Sequence, residues 1–391
     1  MRCIQVIMQR FDIQSILSLY ILIILIIAGC AKVHKPSLDA QSYLNRGHYY
    51  FHEGNYDQAI TDYNKAIELY PSFADAYYTR GSTYDKKGLY DLAIADYNMA
   101  IELNPNFAEA YSNRGVAHGI KGDYDRAIAD LNKAIEISPD FANNYYNRGS
   151  AYDRKGRYDY AIADYNMAIE LNPNFAEAYS NMGSAYYKKG QLNLAIANLS
   201  KAIELEPGFP ETYANRGSAY YYKGQYDKAI ADYSKAIEIN PGYVRAYNNR
   251  GKTYDIKGQY DKAIADYSKA IKINPSDSEA YNNRGSTYII EGHYDKAIAD
   301  FTEALDLNPG LFEAHQNRGI SYTIKGQYDM AISDLNKALK IKPGDAASYK
   351  WRGVAMMELG NLSMACANWK EACKLGDCSS YESAKINGGC E

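Results

Sequence analysis

The cysteines are the residues of this chain whose type and spacing could support covalent or metal chemistry. Four of the six lie close to the C-terminus, and in an exported protein such a cluster favours disulfides. Zinc binding is an alternative, although the spacing is not that of paired C-x-x-C ligands. Reduced cysteines packed in a core are a second alternative. The disulfide candidates are Cys366, Cys373, Cys378 and Cys390.

No pattern of residues indicates a catalytic site. The sequence lacks a phosphate-binding glycine loop, a dinucleotide fingerprint, an H-E-x-x-H motif and a G-x-S-x-G motif. The six histidines are scattered, and the carboxylates recur with a fixed period that is typical of capping and solvated positions. We therefore expect a protein that is not an enzyme and that has no cofactor or metal.

Glycine recurs every 34 residues through most of the chain, from Gly47 to Gly353. A second glycine series follows seven residues behind the first, from Gly54 to Gly360. A fixed period of this length predicts stacked supersecondary units, each too small to bury its own apolar face. If the first glycine is position 8 of the repeat, ten repeats follow one another from Ala40.

Each repeat carries two helical stripes. Positions 4, 8 and 11 share one helix face, and positions 17, 20, 24 and 27 share another. Gly54 is expected to end the first helix in a left-handed conformation, and Asp57 falls in the first turn of the second helix, where the dipole favours an anion. Pro71 cannot continue that second helix. The repeat is therefore predicted to be a helix–turn–helix unit.

These residues resemble the tetratricopeptide repeat family, which has an aromatic residue at position 4, glycine at 8, tyrosine at 11, alanine at 20 and 27, an aromatic residue at 24 and proline at 32. The resemblance covers residues 40–375 and implies an all-α, right-handed superhelical solenoid of ten helix–turn–helix repeats. Residues 376–391 would form a cysteine-containing C-terminal cap. Position 7, usually leucine in the family, is arginine in nine copies. Aspartate at position 23 is its expected partner, because an unpaired buried charge is costly.

Helical geometry limits how the four C-terminal cysteines can pair. Cys366 and Cys373 fall on one helix, about 10.5 Å apart along its axis, which is too far for a disulfide. If two bridges form, a tail that folds back from Cys378 would pair Cys373 with Cys378 and Cys366 with Cys390. These bridges would staple a capping segment over the last repeat, whose open face has no other neighbour.

The N-terminus has the character of an export signal. Arg2 and Arg10 precede an uncharged run over residues 13–29, which is short for a membrane span and ends in small residues. The sequence Ile-Ala-Gly before Cys30 resembles the bacterial lipoprotein box, which implies cleavage after residue 29 and lipidation of Cys30. Residues 1–29 are thus expected to be a signal peptide and residues 30–39 a short lipidated tether. The alternatives are an uncleaved membrane anchor and a hydrophobic leader in which the cysteine occurs by accident.

The 41 tyrosines raise the question of base stacking on nucleic acid. Most of them occupy positions 4, 11, 17 and 24, which are core positions of the repeat. The net charge is −4 and there is no basic tract, which argues against nucleic acid as a partner. We expect neither nucleic acid nor a small-molecule substrate.

Partner contacts are expected on the first helices, because positions 2, 5, 6, 9, 12 and 13 line a concave groove in related arrays. Position 6 is asparagine in eight copies, and a ladder of carboxamides can grip an extended backbone. The alternative is a tolerated polar residue that was copied by duplication. Positions 12 and 13 are Tyr187 and Lys188 in the fifth copy and Tyr221 and Tyr222 in the sixth, and they are largely apolar afterwards. The predicted contact residues are Asn113, Asn147, Asn181, Asn215, Asn249, Asn283, Asn317, Tyr187, Tyr221, Tyr222, Ile289, Ile290 and Ile324.

The expected function is that of a membrane-anchored scaffold that binds extended or helical segments of partner proteins, in the assembly of a bacterial envelope complex. A self-associating structural array is one alternative, and a lipoprotein that binds carbohydrate or peptidoglycan is another. Ala31 stands where enterobacterial lipoproteins of the inner membrane carry a retaining aspartate. This difference favours the outer membrane over the inner membrane.

Overall fold

The computed structural model describes residues 36–386 and 389–390, and within them it contains 21 helices and no strand. The expected all-α array of helix–turn–helix repeats is confirmed: ten helix pairs are followed by one short helix. In chain order, α1 to α21 are Leu38–His52, Tyr56–Leu69, Ala74–Lys86, Tyr90–Leu103, Ala108–Ile120, Tyr124–Ile137, Ala142–Arg154, Tyr158–Leu171, Ala176–Lys188, Leu192–Leu205, Pro210–Tyr222, Tyr226–Ile239, Val244–Ile256, Tyr260–Ile273, Ser278–Ile290, Tyr294–Leu307, Phe312–Ile324, Tyr328–Ile341, Ala346–Glu358, Leu362–Lys374 and Ser379–Ile386.

The repeats fall into two compact units, one ending at Lys155 and one beginning at Gly156. Within each unit, the two helices of a repeat pack on each other, and the second helix packs on the first helix of the next repeat. The first helices of adjacent repeats also touch within a unit. The odd-numbered helices from α1 to α19 therefore form a continuous layer in each unit, which we call the first-helix face.

The N-terminal signal and Cys30 lie outside the described residues. The first helix starts at Leu38, two residues before the expected start of the repeat, because Ser37 caps it: the backbone N–H of Ala40 donates to Ser37 Oγ at 3.1 Å. Of the described helices, none has both the length and the apolar character needed to cross a bilayer.

In the core of each repeat, glycine at position 8 leaves space for a large side chain on the second helix. Tyr63 is fully buried, and a Cβ atom added to Gly47 would lie only 2.5 Å from Tyr63 Cε1. Glycine at position 8 thus makes room for the ring at position 24 of the same repeat. Gly54 has a φ of 75°, which confirms the left-handed end of the first helix that the sequence predicts.

The expected pairing of arginine at position 7 with aspartate at position 23 is confirmed. Arg114 Nε and Nη2 donate to the two carboxylate oxygens of Asp130 at 2.8 and 2.6 Å. Its Nη1 donates to Asn98 of the preceding repeat at 2.6 Å, a contact that the sequence did not suggest. The same bidentate pair occurs at Arg46–Asp62, Arg80–Asp96, Arg216–Asp232, Arg250–Asp266, Arg284–Asp300 and Arg318–Asp334.

The C-terminal helix α21 packs against α20. Two disulfides hold it, in the nested arrangement expected from the sequence: Cys366 with Cys390, and Cys373 with Cys378. Tyr381 of α21 packs against the buried cluster around Trp369 of the last repeat. The open end of the array is thus covered by residues that follow the last repeat.

Candidate binding face of the first helices

The predicted asparagine ladder lies on the first-helix face, and all seven of its predicted members are half-buried. The amide nitrogens of Asn113, Asn215 and Asn317 bond to the preceding repeat. Asn215 Nδ2 donates to Ser184 Oγ at 3.1 Å, and Asn317 Nδ2 donates to Ser286 Oγ at 3.2 Å. Serine recurs at position 9 in five copies, and this recurrence is the signal that could have revealed the contact. The ladder therefore helps to hold adjacent repeats together.

Two ladder residues, Asn147 and Asn283, follow a repeat without serine at position 9. Asn249 follows Ser218, yet its carboxamide also has no hydrogen-bond partner among the described residues. Val116 precedes Asn147, whose carboxamide has no hydrogen-bond partner among the described residues. Lys252 precedes Asn283, and the Nδ2 atom of Asn283 is buried with no hydrogen-bond partner there. Lysine and valine offer no acceptor, so neither amide is tied to the preceding repeat.

Three tyrosines predicted as partner contacts form one cluster in the second unit. The ring centroids of Tyr187 and Tyr222 lie 5.8 Å apart, and those of Tyr221 and Tyr222 lie 5.3 Å apart. Burial, reinforced by Tyr222, raises the pKa of Tyr187 to about 12. Nearby, Arg245 Nη2 donates to Asn215 Oδ1 at 2.7 Å. The three rings therefore form an aromatic surface bordered by Arg245.

Exposed apolar side chains occupy the last residue of four consecutive first helices. Tyr222 is 67% exposed, Ile256 50%, Ile290 59% and Ile324 43%. We call these four residues the apolar row. Ile289, also predicted as a partner contact, lies beside the row and is half-buried. It packs against the buried cluster around Phe301, so it contributes to the core as well as to the surface.

Ion pairs flank this face and were not anticipated from the sequence. Lys87 Nζ lies 2.5 Å from Asp57 Oδ1 of the preceding repeat. The same contact from position 14 to position 18 joins Lys121 to Asp91, Lys155 to Asp125, Lys189 to Asp159, Lys257 to Asp227 and Lys325 to Asp295. On the face itself, Lys252 pairs with Glu279. In the residues that the structure describes, no group of three histidine, cysteine, aspartate or glutamate side chains is placed to hold a metal ion.

Three models of tetratricopeptide repeats match the chain and together span residues 47–345 without a gap. One matches residues 47–88, 120–156, 151–190, 183–222 and 217–255; another matches 74–107, 244–277, 278–311 and 312–345; the third matches 97–129. The chain therefore belongs to the tetratricopeptide repeat proteins. Among curated proteins, no significant match to the chain is found.

Many solved structures have a similar chain. MamA is 34% identical over 41% of this chain and 94% of its own, with a TM-score of 0.39. YrrB, described as a TPR protein with an unusual peptide-binding site, is 29% identical over 47% of this chain and 95% of its own, with a TM-score of 0.41. The Cut9–Hcn1 assembly of APC/C shares the fold at a TM-score of 0.51, with 18% identity over 91% of this chain and 77% of that chain.

Proposed function

We propose that this protein is a membrane-anchored scaffold that binds segments of partner proteins along the first-helix face of its second unit. The apolar row carries the proposal. Four consecutive repeats each expose an apolar side chain at the same position, whereas soluble proteins usually expose such residues singly. The first helices of the first five repeats end in a charged or polar residue or in the single Ile120, so the row is confined to one part of the array.

The asparagine ladder runs beside the apolar row and supplies polar contacts. Where the amide nitrogen is used inside the array, the carboxamide oxygen can accept from a partner's backbone N–H. At Asn283 the buried amide nitrogen lacks an acceptor, and leaving such a group unsatisfied costs about 1–3 kcal/mol. That atom is enclosed, so a partner carbonyl could accept from it only after the Asn283 side chain turns outward. Backbone contacts of this kind would give affinity, and the apolar row would select the side chains.

Photocrosslinking in membranes tests the proposal. A photoreactive phenylalanine in place of Tyr222 should capture a partner protein, and the yield should fall when Ile290 and Ile324 are changed to serine. Tyr160, 60% exposed on a second helix of the same unit, is the matched control position. Equal capture from positions 222 and 160, or no capture from position 222, would exclude the apolar row as the partner-binding surface. An adduct with the mass of two chains would indicate self-association instead, and an adduct with a glycan would indicate carbohydrate binding.

The membrane anchor is supported by the N-terminal sequence, in which a short apolar run ends at Cys30. Metabolic labelling with a fatty-acid analogue should tag the parent protein. The change Cys30→Ala should abolish both the label and removal of the signal peptide. If the unprocessed variant stays in the membrane as well as the parent does, an uncleaved anchor replaces the lipid. Fractionation of the labelled protein would then test our expectation of the outer membrane.

A further inference from the structure

The first unit contains a pocket that lies outside the residues predicted from the sequence, except for Asn147. Its volume is about 430 Å³, and its residues come from the third repeat and the first helix of the fourth. Val116, Ile120 and Leu131 line its apolar part, and Asn147 and Arg154 belong to its polar part. A volume near the lower end of the range for ligand sites suits one large side chain and its backbone.

The pocket lies where the third repeat combines glycine at position 12, which no other copy has, with leucine at position 24 and valine at position 9, which other copies also have. Position 12 is Gly119 here, whereas the other nine copies have a side chain at this position. Position 24 is Leu131 instead of the tyrosine of the first two repeats, and position 9 is Val116 instead of serine. The φ of Gly119 does not lie in the left-handed region, and a Cβ added there would meet only Ala127 Cβ at 3.8 Å. Backbone conformation and close packing therefore do not require glycine at position 119.

Of the polar residues that line the pocket, which also include Tyr124 and Ser150, Asn147 and Arg154 can meet a ligand. Arg154 is exposed, and no described carboxylate lies within ion-pair distance of it. Asn147 has a carboxamide without a hydrogen-bond partner among the described side chains and backbone, because valine replaces its usual serine. A carboxamide can donate to and accept from one peptide unit, and a guanidinium pairs with a carboxylate in a bidentate manner.

We propose that this pocket binds a partner segment in extended conformation, through one bulky apolar side chain followed closely by an acidic residue. The apolar side chain fills the space beside Gly119, Asn147 holds the backbone, and Arg154 pairs with the acid. This inference rests on the proposed function, since it assumes a protein partner. It adds a second contact site, in the first unit, and the chemistry of the segment that the site selects.

The test is a selection of displayed random heptapeptides on the full chain, with binding of the enriched peptides measured afterwards. Enriched peptides should carry Leu, Met or Phe next to Asp or Glu. Gly119→Tyr fills the pocket and should weaken their binding roughly tenfold or more, the effect of losing one buried apolar side chain. Gly119→Ala removes the same glycine but leaves the pocket open, and should bind as the parent does. Both variants should melt no lower than the parent, because glycine inside a helix is destabilising.

Further variants keep the test decisive. If Gly119→Tyr does not fold, Ile120→Ser should weaken binding in its place, since Ile120 is 56% exposed at the pocket. Arg154→Gln should remove the preference for acidic residues, whereas Lys86→Gln, at the same position two repeats earlier, should not. If Gly119→Tyr bound the enriched peptides as tightly as the parent does, the proposal that they bind in this pocket would be wrong.

The outcomes also separate this inference from the proposed function. Peptides that are lost with Tyr222→Ser and Ile290→Ser but not with Gly119→Tyr would overturn the pocket and leave the proposed function standing. Peptides unaffected by all of these changes, or a failure to enrich any peptide, would count against both. Saturable binding of phenylacetate that Gly119→Tyr abolishes, without any enriched peptide, would reassign the pocket to small molecules and overturn the inference.

Discussion

Arg216 holds Asp232 through two hydrogen bonds of 2.8 and 2.7 Å, while its third nitrogen donates to Ser200 of the preceding repeat at 3.0 Å. The aspartate side chain is 8% exposed and the arginine 18% exposed. The guanidinium also lies over the ring of Tyr213, 5.8 Å from its centroid. One arginine thus connects both helices of its own repeat to the repeat before it.

Asp232→Asn should destabilise the sixth repeat by about 2 kcal/mol, because the buried guanidinium loses its counter-charge. The double change Arg216→Met with Asp232→Asn should recover most of this loss. The fifth repeat already has this combination: Met182 is buried, and Asn198 donates to the carbonyl of Leu194 at 2.9 Å. Hydrogen exchange of the sixth repeat measures the effect locally. A double variant as unstable as Asp232→Asn alone would contradict this account.

The helices and the arginine pair were predictable because they depend on residues within one repeat. The spacing of tyrosine, glycine and alanine fixes which helix faces meet, and Arg114 and Asp130 are placed by the same two helices. Helix geometry likewise excludes a bridge between Cys366 and Cys373, and a tail that folds back from Cys378 then gives the nested bridge between Cys366 and Cys390.

The contacts between repeats were not predictable in the same way. The tie from Asn215 to Ser184 depends on how one repeat stacks on the next, and no single repeat contains both residues. The pocket beside Gly119 was missed for a related reason. A single exception to a repeated pattern can be interpreted only when the neighbouring side chains are known. The absent side chain at Gly119 leaves a pocket because Val116 and Leu131 lie around it.

Asp85 should make stability depend on pH. Burial raises the pKa of Asp85 above its ordinary value, and its Oδ1 atom has no hydrogen-bond partner among the described residues. A raised carboxyl pKa means that the protonated form suits the folded state. The stability that protonated Asp85 contributes is fully present below the pKa of the unfolded chain, about 3.9. It is lost as the pH rises through the pKa of Asp85 in the folded protein. Asp85→Asn should therefore raise the Tm at pH 7 and change it little at pH 3.

The difference in Tm between the variant and the parent, measured at both pH values, isolates the effect of ionising Asp85, because the variant lacks only that titrating group. If Asp85→Asn lowered the Tm at pH 7, the ionised carboxylate would be stabilising and the burial argument would be wrong.

The two kinds of ladder asparagine should respond differently to alanine. Asn215→Ala removes the tie to Ser184 and should cost about 1 kcal/mol of stability. Asn283→Ala removes a buried amide nitrogen without a described partner, so it should leave stability unchanged or slightly higher. If the ladder grips a partner's backbone, both changes should weaken partner binding several-fold. Equal losses of stability, measured by urea unfolding, would mean that Asn283 also makes an internal contact.

The C-terminal disulfides should stabilise the end of the array. Mass spectrometry of the unreduced protein should find Cys366 joined to Cys390 and Cys373 joined to Cys378. The first bridge closes 24 residues, for which loop entropy gives roughly 3 kcal/mol. Reduction should therefore speed hydrogen exchange in α19 to α21 and leave α1 to α6 unchanged, since contacts in such arrays are between neighbours. Four free thiols, or a bound zinc ion, would disprove the pairing.

The third hydrogen bond of each arginine has a consequence for how the gene can change. Arg114 reaches asparagine in the preceding repeat, Arg216 reaches serine and Arg318 reaches threonine, so any of these acceptors will serve. Residues 93–112 and 161–180 are identical, two repeats apart. Recombination between their coding segments would delete or add two whole repeats. In the longer array, Arg114 at the new junction would follow Asn166 and find a polar acceptor again; in the shorter array, Met182 would occupy that position and need none. Neither change in length would therefore require a compensating mutation at the junction.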